Sequence, residues 1–247
     1  MGDYGTVPRH TARRMMREAV RRELVPGDRL ASEAALMGYF DVSRGSLREA
    51  LRLLSFLGAI DIRSGPGGGP RIANPRPRAV GSTLAMALQA RGATLRSLME
   101  ARAVLEPTVA TLAAVHRGDQ DLALLANCMI RIDRARGTDQ FTGHNHRFHR
   151  IVADAAGNEV LALLVPALTW MSAAVDWRLP AESHQRVFDE KSAIAEAIRT
   201  RDAATAATLT TTMFEHLLED LKQHQPQQLA TRILWPDVDE LPDADQE

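Results

Sequence analysis

Residues 41–43 separate a pair of short segments that both carry a helical apolar pattern. Upstream lies "EAALMGYF", with Ser32 placed to cap it. Downstream lies "RGSLREALRLLSF", where Leu47, Ala50, Leu51 and Leu54 recur at the spacing of one helix face. Two short helices joined by a three-residue turn are the helix-turn-helix unit. The second helix of such a unit enters the DNA major groove with its N-terminal end. That placement accounts for the polar residues around the stripe. Arg44, Arg48 and Arg52 stand four apart beside it, positioned to reach phosphates or guanine edges while Leu47 and Leu51 hold the helix down. Ser43 and Ser46 can donate to phosphates, and the helix N-terminus itself favours an anion. The plainer alternative is a three-helix subdomain with a solvated arginine face.

The flanks extend the pattern. "TARRMMREAVRREL" has an apolar stripe at Met15, Met16, Ala19, Val20 and Leu24, and "VPGDRL" ends it. After the second helix, "AIDIR" predicts a strand, "SGPGGGP" a turn and "RIA" a returning strand. A hairpin there makes a winged helix, whose tip would bring Arg63, Gly67 and Gly68 close to DNA. The charge agrees. Residues 1–80 hold 14 basic against 8 acidic residues, while residues 81–224 hold 15 against 17 and residues 225–247 hold 1 against 6. An anionic partner is thus expected for the first third only.

The segment "SGPGGGPRIANPRPR" divides the chain, and its Pro75 and Pro77 predict an extended linker. Beyond it, apolar periodicity predicts helices at roughly 82–91, 94–116, 119–136, 138–156, 158–178, 182–201 and 202–224. Pro107 and Pro166 fall inside two of them and should kink them. With 247 residues and only 4% aromatics, the chain reads as a mainly α protein of two domains. These are an N-terminal winged helix-turn-helix with a small β-hairpin wing (8–74), a linker (75–81) and an all-α antiparallel helical bundle (82–224). An acidic, flexible tail (225–247) follows, in which Trp235 is the residue able to dock. The one cysteine, Cys128, excludes a disulfide framework and fits a reducing compartment. No run approaches 18 apolar residues and no signal-peptide core is present, so the expectation is a cytoplasmic protein with no membrane partner.

The stretch from "VRRELVPGDRLASEAALMGYF" through "DVSRGSLREALRLLSFLGAIDIRSGPGGG" resembles the winged helix of the GntR family of bacterial transcription regulators. The second half, with "EARAVLEPTVATLAA", "NHRFHRIVADAAGN" and "AIAEAIRTRDAATAA" in order, resembles the all-helical FCD-type ligand-binding domain of the FadR subfamily. The resemblance covers nearly all of residues 10–222. It implies a homodimer that reads a palindromic double-stranded DNA operator, and a bundle that binds a small-molecule effector, usually an organic acid. The expected function is a ligand-responsive regulator, read as a repressor, and not an enzyme. Arg44, Arg48, Ser43 and Ser46 match the family's DNA-contacting positions. Ala34 stands where the family usually has an arginine, and Ala31 where it has a proline; Arg29 is a candidate to compensate.

In metal-dependent members of that family, an Asp or Asn and three histidines converge on one cation. Asn145, His149 and His216 match three of these positions, but Lys191 stands where the middle histidine belongs. A protonated lysine repels a cation and cannot ligate it. The resemblance therefore places the effector site at Arg102, Asn145, His149, Lys191 and His216, with no cofactor required. Asn145, His149 and His216 leave open a weak divalent site for zinc, nickel or manganese. Arg102 matches a family arginine that meets the effector's carboxylate; its alternative is a buried ion pair with Glu106. Two further readings stay open here: a DNA-binding architectural or adaptor protein with no ligand, and a metal-assisted enzyme.

Overall fold

The computed structural model describes residues 6–236 apart from Pro66, Pro75 and Asp176. It divides into two compact units between Val80 and Gly81.

The first unit holds three helices, α1 (Thr6–Arg21), α2 (Glu33–Phe40) and α3 (Arg44–Phe56), and a hairpin of β1 (Ile60–Arg63) and β2 (Gly69–Ile72). Ser32 caps α2, its Oγ accepting from Ala35 N at 3.3 Å. The helix ends at Asp41, whose left-handed backbone (φ 52°, ψ 58°) turns the chain within three residues. Ser43 then caps α3, its Oγ accepting from Ser46 N at 3.2 Å. Leu47, Ala50, Leu51 and Leu54 of α3 pack with Ala12 and Met15 of α1, Leu36 and Phe40 of α2 and Ile60 of β1. The face that α1 buries is Thr11, Ala12, Met15 and Ala19; Val20, expected in the stripe, is 75% exposed. The strands pair antiparallel, Ile60 opposite Ile72 and Arg63 opposite Gly69. At the tip, a Cβ on Gly68 would stand 2.3 Å from the carbonyl oxygen of Arg63, so only glycine closes this turn.

The second unit is all-helical: most of α4 (Pro77–Ala90), then α5 (Leu95–His116), α6 (Asp119–Ala135), α7 (Phe141–Ala155), α8 (Glu159–Ala173), α9 (His184–Arg199), α10 (Ala203–His224) and α11 (Pro226–Ala230). The linker expectation is corrected here. Pro77 is the first residue of α4, where a missing N–H costs no hydrogen bond and a fixed φ suits the helix. The tail is corrected too, as far as it is described. Leu229 and Ile233 are buried in the bundle core, Ile233 N donates to the Ala93 carbonyl at 2.8 Å, and Trp235 Nε1 donates to Ser82 Oγ at 2.6 Å. Residues 237–247 lie outside the described residues. Pro107 and Pro166 sit inside α5 and α8, neither of which they interrupt.

The central element is α5. It is started by Thr94, which exchanges capping hydrogen bonds with Ser97, and it packs against α7, α8, α9, α10 and α11. A helix so enclosed buries polar positions along with apolar ones, and two of those on α5 are Arg102 and Glu106.

The completely buried Leu47 links α3 to the rest of its core. Leu47→Ala is expected to destabilise the winged-helix unit by about 2–5 kcal/mol, through lost transfer energy and the cavity left behind. Chemical denaturation followed by circular dichroism checks this, and a loss under about 1 kcal/mol would contradict the packing described.

Candidate functional site

The first surface is the start of α3. Arg44, Arg48 and Arg52 have side chains 69%, 56% and 78% exposed, in a row beside the buried stripe. Arg44 and Arg48 both stand near the Glu33 carboxylate of α2, with Nε at 3.9 and 3.6 Å, while Arg52 pairs with Glu49 on its own helix at 3.7 Å. Exposed pairs of this length are weak and easily exchanged for phosphates. Ser43 and Ser46 share a hydroxyl contact of 3.0 Å at the helix N-terminus. Arg63 is exposed at the end of β1, and Gly67 and Gly68 form the wing turn with Gly68 N bonded to the Gly65 carbonyl. Arg29 lies against β2, its Nε 3.6 Å from where a Cβ on Gly69 would stand.

The second site is inside the bundle, where α5, α7, α9 and α10 surround a small cavity. Its walls include Arg102, Asn145, His149, Lys191, Glu190 and Met213, and its free space is about 30 Å³. Helical spacing puts Arg102 and Glu106 one turn apart on α5, and Asn145 and His149 one turn apart on α7. The resulting chain of contacts joins four helices, α5, α7, α8 and α9. Arg102 Nε donates to Glu106 Oε1 at 2.7 Å and its Nη1 donates to Ser172 Oγ at 3.0 Å. The other carboxylate oxygen of Glu106 pairs with His149 Nδ1. His149 Nε2 in turn stands 2.9 Å from Lys191 Nζ, which lies 4.1 Å from the centre of the Phe148 ring.

Burial is nearly total: Arg102, Glu106, Asn145, His149 and Lys191 are all under 8% exposed. Burial alone would raise the Glu106 carboxyl, but the charge of Arg102 and the bond from His149 overcome it and hold it at about 2. Burial pushes His149 down to about 4 against the pull of Glu106, so its ring is neutral. Its Nδ1 faces a carboxylate and so carries the proton, which leaves Nε2 as an acceptor for the lysine. Burial likewise pushes the Lys191 amine down to about 7, with Glu106 drawing it the other way. Lys191 makes no salt bridge with any carboxylate among the described residues. Asn145 Oδ1 and Glu190 Oε2 are buried polar atoms with no hydrogen-bond partner.

Four of the five expected effector residues thus line one cavity. The fifth, His216, is half exposed and bonds through Nδ1 to Glu190 Oε1 at 2.6 Å, outside the cavity's walls. Glu190 also accepts from Arg186 at 3.1 Å. His146 also contributes to the wall. Sequence reasoning missed Ser172 and Arg186 as members of the site, set Glu190 beside Lys191 only in the metal-assisted enzyme reading, and weighed Glu106 only as an alternative partner for Arg102. The four-residue spacing of Arg186 and Glu190 was the one available signal for that pair.

A divalent cation does not fit these residues. Lys191 Nζ occupies the lone pair of His149 Nε2, Glu106 holds the other ring nitrogen, and His216 is engaged elsewhere. No group of three or more His, Cys, Asp or Glu side chains among the described residues is placed to hold a metal ion.

Comparison with known proteins bears on both surfaces. The family model "Bacterial regulatory proteins, gntR family" matches residues 9–68, and the model "FCD domain" matches residues 97–219. The HTH-type transcriptional repressor NanR of Escherichia coli (strain K12 / DH10B) is 31% identical over 192 residues, covering 74% of this chain and 72% of that protein. The HTH-type transcriptional regulator LutR of Bacillus subtilis (strain 168) is 29% identical over 192 residues, covering 74% and 87%. Among solved structures, a GntR protein of Streptococcus agalactiae matches with a TM-score of 0.67 at 24% identity over 86% of this chain and 99% of its own, a likeness of fold.

Lys191 makes stability depend on pH in a defined window. Its folded value lies below the ordinary lysine range, so between pH 7 and 9 the unfolded chain holds a proton that the folded one releases. Stability must therefore rise with pH there, by at most about 1.4 kcal/mol per unit. Cys128, raised by burial from 9.0 to about 11, acts with the opposite sign as the pH approaches 9 and beyond, and does so with and without Lys191. Denaturant melts at pH 7, 8 and 9 should show the rise, and Lys191→Met should flatten it; an equal slope in both proteins would refute the shift.

Proposed function

Since this chain belongs to the GntR family of bacterial transcription regulators, of the kind that carries an FCD domain, we propose that it binds a palindromic operator as a homodimer and releases it when a small anionic metabolite enters the bundle cavity. The coarser statement is a finding: the relatives are DNA-binding transcription regulators and not enzymes. Among the described residues no helix is long and apolar enough to cross a membrane. The repressor names of relatives such as NanR favour repression as the direction.

One observation carries the effector reading. Lys191 is a buried amine with a neutral imidazole where a counter-charge would be expected, so an entering carboxylate restores its proton, and Arg102 keeps Nη2 free beyond its bonds to Glu106 and Ser172. A carboxylate entering the cavity gains charge-assisted hydrogen bonds from both, while the unpartnered Asn145 Oδ1 can accept only from a donor elsewhere on the ligand. No metal is needed between ligand and protein, because the lysine supplies the charge. Ligand binding that differs between two arrangements of the bundle then shifts operator affinity by linkage.

For DNA, the exposed start of α3 gives Arg44 and Arg48 access to base edges, Ser43, Ser46 and the wing residues Arg63, Gly67 and Gly68 access to the backbone, and Arg52 a phosphate. A single winged helix makes a small interface, so a twofold pair reading two half-sites is the economical arrangement. Apolar side chains left exposed on the bundle, Met86 and Val104 among them, offer surface for the pairing.

Arg44→Ala and Arg48→Ala should each weaken binding to a duplex selected by the wild-type protein from random DNA, by about 1–3 kcal/mol at one fixed salt concentration. Fluorescence anisotropy measures it, and unchanged affinity in both variants rejects the assignment. Sedimentation of the full chain at micromolar concentration should give a dimer; a monomer there overturns the twofold arrangement.

A further inference from the structure

We propose that Lys191 captures the effector covalently, as an imine with the carbonyl carbon of a small 2-oxo or aldehyde carboxylate. The proposal rests on the anionic-effector reading above and narrows its chemical class.

Lysine is rare in this chain. Of 30 basic residues only two, Lys191 and Lys222, are lysines. Wherever positive charge alone serves, at the start of α3, along α1 and on the cavity wall at Arg102 and Arg186, the residue is arginine. A guanidinium stays protonated and is a poor nucleophile, whereas a lysine can shed its proton and attack a carbonyl. One of the two lysines is 1% exposed and among the largest completely buried side chains of the protein. The surroundings of its amine suit a nucleophile. It lies beside the Phe148 ring, has no carboxylate to hold its proton, and points at the free nitrogen of a neutral imidazole 2.9 Å away. The imidazole is held in that tautomer by Glu106, whose charge is fixed by Arg102. The low proton affinity of the amine, already described, agrees.

The remaining wall fits a ligand carrying both a carboxylate and a carbonyl. Arg102 Nη2 is available for the carboxylate. Asn145 Oδ1, 7% exposed on the residue and without a partner, can accept from the hydroxyl that forms when the amine adds. The free space of about 30 Å³ limits the ligand to a few non-hydrogen atoms, with small shifts of the wall.

The chemistry balances without an outside reagent. The lone pair of neutral Nζ forms a bond to the carbonyl carbon as the carbon–oxygen π bond breaks. The proton lost by nitrogen passes to His149 Nε2 and from there to the oxygen, giving a carbinolamine. The second proton of the nitrogen then passes to His149 Nε2 and from there to the hydroxyl as the carbon–oxygen bond breaks, so that water leaves and the nitrogen lone pair completes the imine. Amine and carbonyl yield imine and water, nothing is oxidised or reduced, and hydrolysis reverses the capture when the metabolite falls.

The test uses the full chain with pyruvate or glyoxylate and cyanoborohydride, followed by intact mass and peptide mapping. The expected product is one adduct, heavier by the mass of the acid less one oxygen atom. It should lie on Lys191, at least tenfold over the exposed Lys222, and be absent from Lys191→Arg. The comparison of the two lysines within the wild-type protein needs no variant to fold. No adduct, or equal labelling of both lysines, overturns the proposal. Melting temperatures with acetate and glycolate, which lack the ketone or aldehyde, separate the two readings. Stabilisation by these acids without any adduct sinks the imine and leaves the anionic cavity standing. Stabilisation by none of the four acids, again without an adduct, sinks both.

Discussion

The carboxylate of Glu106 is the charge around which the interior of the bundle is arranged. A buried carboxylate is tolerated only when its oxygens are matched, and an uncompensated one costs about 3–5 kcal/mol. Arg102 matches one oxygen from the same helix and His149 matches the other from α7. Every further polar placement follows. The carboxylate sets the tautomer of His149, the tautomer presents a bare nitrogen to α9, and that nitrogen takes the amine of Lys191. Ser172 relays the other side of Arg102 to the Thr169 carbonyl on α8. Three helices are thus indexed to α5 by directional bonds, where apolar packing alone would allow them to slide.

The same arrangement explains why a lysine is compatible with a position at which a related scaffold uses a metal ligand. A cation held by imidazole and amide groups carries positive charge into the cavity. A lysine carries one as well, on a single flexible stem, and needs only an acceptor to orient it. What changes is the chemistry on offer: a metal polarises a bound group, whereas an amine can also form a bond to it.

Much of the fold was legible in the sequence, because the signals were local. The bounds of α3 follow from Ser43, the leucine spacing and the break at residues 41–43. The wing follows from its glycines and the strands on either side. The errors have local causes too. Pro77 has the composition of a breaker, though a proline is benign at a first helical position. Val20 satisfies the stripe by type but sits past the edge of the buried face. The tail's acidic composition hides Leu229 and Ile233, whose partners are distant in sequence. The site was legible as a list of residues and not as a network. Lys191 stands out by its departure from a pattern, but its 2.9 Å approach to His149 and the position of Glu106 between Arg102 and His149 depend on how three helices meet. His216 shows the limit of spacing: it stands on the expected helix, yet it bonds to Glu190 at the surface.

The pairing of α5 with α10 and with the segment after it has a consequence for how the chain comes into being. The winged-helix core is assembled from neighbours in sequence, so its loops close cheaply and early during synthesis. The bundle is different. Its central helix finds its most extensive partner only after about a hundred further residues, and the holes filled by Leu229 and Ile233 stay open until later still. The winged-helix half can thus exist folded on a ribosome while the bundle remains an unclosed set of helices, with the apolar faces of α5 awaiting α10 and the segment after it.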